Sequence, residues 1–401
     1  MDNLSLETQQ SPKRETSKSP PSMRFPAFFT YLGCAACSLV VAAILLQLGS
    51  RVILSVRHRF HRSTVTEFAP DNPAYFRYFW ATECVEEHKL RVEKRHVYFP
   101  FRIWGVTDFH GRCVNNDVTD MGVVRRTINP PIPACATSSK TNIWVFGGSA
   151  VYGTGIPDWA TLPSYLSREL STTIECVKLI NLGVEGYASN QELLFLMEQL
   201  KSGRHPDIVI FYDGFNDAGL ETLPPGHPAA HMDFMAVKSR FEGSFAARFD
   251  FLRRLSTWQL ATKFLGRKTP LRMPADDLRA SAIATLNNYE ENLRIARILG
   301  DAFGFKVYAF WQPAIVYGHK PLVPYEQQLL SLSSDDAFFQ AMVPVYREAE
   351  LRADKFGSFV FLGGIFDDVR EPLYLDWVHL NPLGNELAGR EVAKHIKKYL
   401  K

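Results

Sequence analysis

From residue 141 onward, short apolar runs alternate with longer amphipathic segments. Runs that are apolar throughout and bounded by turn residues predict buried strands at 142–146, 177–181, 208–212, 307–310 and 359–361. Apolar positions at helical spacing predict helices at 162–170, 191–200, 287–303, 342–356 and 382–399, with Pro344 expected in the first turn of its helix. Because strands and helices alternate, we predict an α/β fold in which helices cover both faces of a parallel sheet.

A second apolar pattern lies near the N-terminus. Residues 25–50 contain no Asp, Glu, Lys or Arg, and about 20 apolar residues suffice to cross a bilayer as a helix. The apolar region of a cleaved signal peptide is usually only about 7–15 residues long. We therefore predict an uncleaved single-pass transmembrane anchor at 25–50. Basic residues flank both sides of this segment, so the positive-inside rule does not favour either orientation in the membrane. We expect the commoner arrangement, with a short tail inside and a large extracytoplasmic domain.

These patterns divide the chain into four parts. Residues 1–24 are polar, without apolar periodicity, and are predicted to be disordered. After the anchor, residues 51–140 form a membrane-proximal extension, rich in aromatic patches, which we expect to consist of loops and small strands packed on the main domain. Residues 141–401 form that main domain. An insertion at about 218–280 interrupts its alternating pattern, as a lid or a substrate wall would.

Composition limits the classes of partner and cofactor. The chain is 46% hydrophobic and 22% charged, with a net charge of +3, and this weak charge gives no argument for a nucleic-acid partner. No Cys/His cluster of the zinc-binding type is present, so we expect neither a metal nor a cofactor. Beyond the anchor lie Cys84, Cys113, Cys135 and Cys176. These could form two disulfides in any of three pairings or remain free buried thiols. The oligomeric state is left open.

The chemistry-bearing residues follow the predicted strands in order. Ser149, Gly183 and Asn216 come just after the first, second and third strands, and Asp376 and His379 precede the last helix. Ligands of doubly wound sheets bind at the carboxyl ends of the strands, so these five residues can converge at one edge. There, Asp376 would orient His379, and His379 would accept the proton of the Ser149 hydroxyl. The N–H groups of Ser149 and Gly183 and the Asn216 amide would stabilise the oxyanion.

Each of these residues also has an ordinary structural explanation. Alone, Ser149 would most often be a helix N-cap, and Gly183 and Asn216 would be turn residues. His379 could cap the last helix, and Asp376 could be a solvated loop carboxylate. These explanations are independent of one another, whereas a catalytic site accounts for all five residues in sequence order. We therefore favour the catalytic interpretation.

The segments Phe146-Gly147-Gly148-Ser149, Asn181-Leu182-Gly183, Gly214-Phe215-Asn216-Asp217 and Asp376-Trp377-Val378-His379 resemble the SGNH (GDSL-like) hydrolase family. The resemblance covers roughly residues 141–401 and is to a membrane-anchored, bacterial-type member. It implies a three-layer α/β/α flavodoxin-like domain. It also implies that Ser149 is the nucleophile, His379 the base, Asp376 its partner, and Gly183 and Asn216 oxyanion donors.

The sequence departs from the family pattern at two points. Gly148 replaces the acidic residue that the family has beside its nucleophile, and the insertion is absent from compact members. The α/β-hydrolase motif G-x-S-x-G does not fit, because position 151 is Val.

The resemblance implies a membrane-anchored serine esterase that hydrolyses acyl esters, with acetyl expected, through an acyl-enzyme. The location suggests carbohydrate or other envelope esters as substrates. Two alternatives stay open. One is an acyltransferase that uses the same residues to pass the acyl group to a glycan hydroxyl, and the other is a non-catalytic anchored binding protein.

Overall fold

The structure is a computed structural model. It describes residues 25–60, 72–75, 77–93, 97–131, 140–220, 231–232, 234–242, 255–257, 260, 275–333, 337–356 and 359–398. The tail predicted at 1–24 and most of the insertion lie outside these residues. The chain divides into two compact units, one containing residues 1–60 and 249–266 and the other residues 61–248 and 267–401.

The first unit contains one long apolar helix, α1 (Phe25–Phe60). Within it, Tyr31–Ile53 has a mean hydropathy of 2.2 and consists largely of exposed residues, so it is long and apolar enough to cross a membrane. A signal sequence near an N-terminus shares these properties. In the same unit the Gln47 amide oxygen accepts hydrogen bonds from the N–H and hydroxyl of Thr257, both at 3.2 Å.

The extension contributes regular structure to the second unit. Its elements are α2 (Ala81–Glu93), β1 (Val97–Phe99), β2 (Ile103–Gly105), β3 (Phe109–His110), β4 (Asn115–Thr119) and β5 (Gly122–Arg125). A disulfide joins Cys84 of α2 to Cys113, and Cys176 is also disulfide-bonded. We expected loops and small strands in this segment, so α2 is an addition to the prediction. Its sequence, Ala-Thr-Glu-Cys-Val-Glu-Glu-His-Lys, shows only a narrow apolar stripe.

The remaining elements alternate as the pattern predicts. In chain order they are β6 (Thr141–Gly147), α3 (Ser149–Tyr152), α4 (Leu162–Leu170), β7 (Val177–Asn181), α5 (Ser189–Lys201), β8 (Ile208–Asp213), α6 (Phe215–Gly219), α7 (Phe234–Phe241), α8 (Ala275–Phe303), β9 (Lys306–Trp311), α9 (Pro324–Ser333), α10 (Ala337–Phe356), β10 (Val360–Phe361) and α11 (Pro382–Lys398).

An eight-stranded sheet runs through this unit in the order β10-β9-β8-β6-β7-β5-β4-β3. The strands from β6 to β10 are parallel and have the 2-1-3-4-5 order of flavodoxin-like sheets, which confirms the predicted fold class. The extension adds β5, β4 and β3 as an antiparallel continuation, through the pair Arg125↔Asn181. The sheet is therefore mixed rather than wholly parallel.

Both faces of the parallel strands are buried, as expected for strands without polar alternation. Trp144 and Phe146 of β6 face one core, with α5, α8 and α10, whereas Ile143 and Val145 face the other, with α4 and α11. This alternation is the period-two geometry of a strand. Helices thus cover both faces, and the domain has three layers.

Two helices differ from the prediction. α10 begins at Ala337, so Pro344 lies inside the helix and not in its first turn. Its neighbours Met342 and Val345 are fully buried, and we infer that their packing offsets the hydrogen bond that a proline cannot donate. α8 begins at Ala275, well before the predicted residue 287, so it includes the end of the insertion. The division of the chain at residues 24, 50 and 140 stays a prediction.

Candidate active site

Ser149 lies at the junction between β6 and α3. The strand ends at Gly147, and Gly148 is the residue that caps the helix, without a side-chain hydrogen bond. Ser149 is therefore the first helical residue and not the N-cap, which removes its ordinary structural explanation. The turn closes with N–H groups of Gly153 and Thr154 donating to the Ser149 carbonyl at 2.9 and 3.2 Å. The Ser149 residue itself is partly exposed.

Asp376 and His379 contact each other within one turn. Asp376 Oδ2 lies 2.6 Å from His379 Nδ1, and the N–H groups of Val378 and His379 donate to Oδ1 at 2.9 and 2.8 Å. The carboxyl group is buried, so it is not a solvated loop carboxylate. Burial would raise the pKa of Asp376, but the charge of His379 and these hydrogen bonds lower it below its usual value. An ionised carboxylate at Nδ1 keeps the proton on Nδ1 and leaves Nε2 as the acceptor.

The loop that carries this pair is fixed at the same edge of the sheet. Its C-terminal end is Asn381, whose Oδ1 accepts the N–H of Gly384 at 3.0 Å, so Asn381 and not His379 caps α11. The Trp377 carbonyl accepts the N–H of Ile315, four residues after the end of β9, at 2.9 Å. From the extension, Asn72 Nδ2 donates to the carbonyl of Leu375 at 2.9 Å. Contacts from three segments therefore hold Asp376 in place.

Asn216 lies beside Gly148, the residue that precedes Ser149. Its Nδ2 donates to the Tyr187 carbonyl at 2.7 Å, and Asn216, Tyr187, Gly148 and Ser149 line one cleft at the ends of β6 and β8. A Cβ atom at Gly148 would lie only 2.2 Å from Asn216 Nδ2. The glycine at this position thus leaves room for the Asn216 amide, which is a steric reason for the absence of a side chain beside Ser149.

The N–H of Gly183 has an intramolecular partner. It donates to Asn181 Oδ1 at 2.9 Å, so in this structure it is not available to an oxyanion as expected from the sequence. The side chain of Asn181 also donates to the carbonyl of Val151 at 2.8 Å and ties the loop to α3. A Cβ at Gly183 would lie 2.5 Å from the Tyr152 nitrogen, so the glycine allows the loop to approach α3 closely. Its role here is packing, because a side chain two residues earlier takes its N–H.

A second glycine in the same loop was missed. Gly186 has a φ of 78° and directly precedes Tyr187, whose carbonyl is bound by Asn216. Within the described residues, the Gly186 N–H has no hydrogen-bond acceptor. The sequence signal was present, since Gly183-Val-Glu-Gly186 offers two glycines, but spacing alone does not tell which N–H is bound by a neighbouring side chain.

Three buried carboxyl groups lie beneath this cleft. Burial raises the pKa of Asp217 to about 6, although hydrogen bonds from Ser189 oppose the shift. Burial and the charge of Asp217 raise the pKa of Asp213, and burial and the neighbouring Asp213 raise that of Glu192. Asp213 Oδ2 accepts the Tyr289 hydroxyl at 3.2 Å, and Asp217 Oδ1 accepts the Ser189 hydroxyl at 2.6 Å. Like charges so close cannot all ionise, so we expect the cluster to retain protons at neutral pH.

No protein-family model and no curated protein sequence matches the chain. Among solved structures, the chain is similar to a catalytic mutant of Axe2, an acetylxylan esterase from Geobacillus stearothermophilus, with 13% identity, a TM-score of 0.37 and coverage of 65% of this chain and 96% of that one. It is also similar to Est24, a carbohydrate acetylesterase from Sinorhizobium meliloti, at 12% identity and a TM-score of 0.35, covering 65% of this chain and 100% of that one.

A member of the lipolytic protein G-D-S-L family from Veillonella parvula is similar at 13% identity and a TM-score of 0.32, covering 64% of this chain and 97% of that one. Among the described residues, no group of three or more His, Cys, Asp or Glu side chains could hold a metal ion.

Proposed function

We propose that this protein is a serine ester hydrolase, anchored in a membrane by residues 25–50, that cleaves acyl esters, with acetyl expected, of carbohydrates or other envelope molecules. The observation that carries the proposal is the 2.6 Å contact between Asp376 and His379 Nδ1, with Asp376 fixed by two backbone N–H groups. Ser149 and Asn216 share a cleft at the strand ends. This combination matches the requirements of nucleophilic catalysis by a serine.

In the proposed reaction, Ser149 Oγ attacks the ester carbonyl while His379 Nε2 takes its proton. Asp376 stabilises the imidazolium through Nδ1–H. Collapse of the tetrahedral intermediate breaks the ester C–O bond, and His379 returns the proton to the leaving alcohol. Water then attacks the acyl-enzyme with His379 again as base, which releases the acid and restores Ser149.

The oxyanion donors in this proposal are the Ser149 N–H, the Asn216 amide and the Gly186 N–H. Asn216 Nδ2 carries two hydrogens, and the Tyr187 carbonyl at 2.7 Å accepts one of them. Gly186 takes the role first assigned to Gly183, because its N–H has no acceptor among the described residues and it adjoins Tyr187. One such donor is worth about 2.7–4 kcal/mol of transition-state stabilisation.

The disulfide between Cys84 and Cys113 supports an extracytoplasmic location for the main domain. Disulfides persist in oxidising compartments and are rare in the cytosol. In this arrangement the short N-terminal tail is cytoplasmic and the active site faces the compartment that contains envelope esters.

The test uses the full-length protein in detergent micelles and a fluorophosphonate, which labels only an activated serine. We expect labelling and phenyl acetate hydrolysis in the unmodified protein, and neither in Ser149→Ala. Ser202→Ala is the matched control, because the Ser202 hydroxyl is exposed and, among the described residues, donates to the Glu198 carbonyl of its own helix turn at 3.0 Å. Labelling that persists in Ser149→Ala would refute the proposal, and absence of labelling throughout would favour the binding protein.

Product analysis separates the hydrolase from the acyltransferase. Both share the acyl-enzyme, so the same variants inactivate both. With an acetyl ester and an added oligosaccharide acceptor, the hydrolase should release free acetic acid as the main product. Acetylated oligosaccharide as the main product would assign the protein to the transferases instead.

A further inference from the structure

The position of the Asn216 amide depends on the residue that binds it. Asn216 Nδ2 donates to the Tyr187 carbonyl at 2.7 Å, and both residues line the cleft with Ser149. A side-chain amide keeps one orientation only while its hydrogen-bond partner keeps its place. Tyr187 lies in the loop between β7 and α5, and it is only 1% exposed. The groups that bind this buried side chain therefore control the placement of the amide.

Two residues of the extension bind the side chain of Tyr187. Its hydroxyl donates to the carbonyl of Trp104 in β2 and accepts a hydrogen bond from Arg102 Nη1 at 3.0 Å. Burial raises the pKa of Tyr187 to about 12, so the hydroxyl keeps the proton that it donates. Trp104 Nε1 also donates to the Glu185 carbonyl at 2.9 Å, and the Trp104 ring meets the Tyr187 ring edge to face. The extension thus contacts the loop at residues on both sides of Gly186.

Arg102 is itself held in place by α5. Its guanidinium contacts two aromatic rings, 4.5 Å from the centre of Phe99 and 3.9 Å from that of Phe195. Its Nε donates to the Glu198 carboxylate at 2.7 Å, and its carbonyl accepts Gln191 Nε2 at 2.8 Å. The residue is only 4% exposed. Because Gln191, Phe195 and Glu198 belong to α5, Arg102 joins the extension both to this helix and to the loop that precedes it.

The backbone on both sides of Arg102 is strained. Phe101 and Ile103 have φ values of 65° and 71°, in the left-handed region that residues other than glycine rarely adopt. Each is the centre of a three-residue turn, closed by the Arg102 N–H to the Pro100 carbonyl at 2.8 Å and by the Trp104 N–H to the Arg102 carbonyl at 2.9 Å. Strain of this kind persists only where surrounding contacts hold it, and it is common at functional sites. The buried contacts of Arg102 hold the turn in this conformation.

We propose that Arg102 is a positioning residue of the oxyanion hole, which holds Tyr187 so that its carbonyl aligns the Asn216 amide with the developing oxyanion. This inference rests on the proposed esterase function. Arg102 does not touch the reacting atoms, and its effect passes through its hydrogen bond to Tyr187 and the hydrogen bond from Asn216 to Tyr187. A displacement of about 1 Å at a catalytic group can cost roughly 100-fold in rate. Because the amide acts on charge that develops in the transition state, the loss should fall on kcat and not on KM.

The experiment measures phenyl acetate hydrolysis by the full-length protein in micelles. The value of kcat is expressed per serine that a fluorophosphonate labels at completion, so that unfolded protein does not count. Arg102→Met keeps an apolar stem against the two rings but loses the donor to Tyr187. We expect it to lower kcat roughly tenfold and to leave KM within about twofold. Arg102→Lys keeps a donor and should recover part of the loss. Tyr187→Phe removes only the hydroxyl and should lower kcat by the same order, so it tests the inference if Arg102→Met does not fold.

A double-mutant cycle with Asn216→Ala separates positioning from general support of the fold. If Arg102 acts through the Asn216 amide, Arg102→Met should change kcat by less than about twofold once that amide is absent. A role in folding alone would lower kcat by the same factor in both backgrounds, and this outcome would overturn the inference. Native kcat in both Arg102→Met and Tyr187→Phe would also overturn it.

The control variant is Arg112→Met, which should leave kcat within about twofold. Arg112 lies in the same extension, and its side chain is 86% exposed in an ion pair with Glu83. Native kcat in Asn216→Ala would overturn the inference while the esterase proposal stands, because the labelling of Ser149 does not depend on that amide alone. Hydrolysis that survives Ser149→Ala would overturn the esterase proposal, and the inference with it.

Discussion

Replacing Asp376 by asparagine changes one atom of the side chain and should abolish most of the activity. In the native protein Oδ1 accepts two backbone N–H groups, from Val378 at 2.9 Å and His379 at 2.8 Å. These donors require an oxygen at that position, so the introduced amide must place its nitrogen at the position of Oδ2. That nitrogen faces His379 Nδ1 and donates to it. The ring proton then moves to Nε2, which can no longer accept the proton of Ser149.

The size of this effect follows from the loss of the base. In the serine-protease triad the equivalent change lowers kcat about 10⁴-fold, or roughly 5.4 kcal/mol of transition-state stabilisation, and we expect the same order for Asp376→Asn. Initial rates of phenyl acetate hydrolysis at pH 7 measure it. Asp368→Asn is the control, because Asp368 is exposed and lies near the same loop. A variant that kept more than about a tenth of native kcat would refute the assignment of Asp376 and the argument from amide orientation.

Three further predictions concern packing, ionisation and loop support. Gly148→Ala should lower kcat roughly 100-fold, because its Cβ would lie 2.2 Å from Asn216 Nδ2 and displace that donor; native kcat would contradict this. The folded-state pKa of Asp217 is raised from 3.8 to about 6, so the contribution of this group to stability is fully present below about pH 4 and is lost as the pH rises through 6. Asparagine does not ionise, so the free energy of unfolding of Asp217→Asn, measured by urea titration, should lose up to roughly 3 kcal/mol less than that of the native protein between pH 4 and pH 7. The same pH dependence in both proteins would refute this. Asn72→Ala should lower the free energy of unfolding by about 1–3 kcal/mol, because the buried Leu375 carbonyl loses its donor; an unchanged Tm would refute this.

The parts of the site that are local in sequence could be predicted. Asp376 and His379 are three residues apart, so one turn suffices to bring their side chains together, and the structure contains that contact. The parallel strands could also be predicted, because burial on both faces leaves continuous apolar runs such as Ile208–Asp213. In both cases the sequence pattern and the structural feature that it predicts involve residues that are close together in the chain.

The features that could not be predicted depend on contacts between residues that are far apart in the sequence or on the bonding of individual side chains. The Gly183 N–H is bound by the side chain of Asn181, which also bonds to α3, and spacing does not reveal this contact. The strands β3 to β5 have polar sequences such as Asn115–Thr119 and form only because they continue the main sheet. The inner face of α2 ends in charged groups whose partners are distant along the chain, so its sequence lacks a clear apolar stripe.

The pairing of Arg125 with Asn181 has a consequence for any shortened form of the protein. β5 pairs with the outer edge of β7 at Asn181, and the short β4 and β3 continue from it. A chain that began at Thr141 would leave the backbone groups of β7 open to pairing with a second molecule, which is the usual route to edge-to-edge aggregation. It would also expose the apolar cluster formed by Tyr75, Trp80 and Leu375. The residues that resemble a compact hydrolase therefore need the preceding segment to keep this strand edge and this apolar cluster covered.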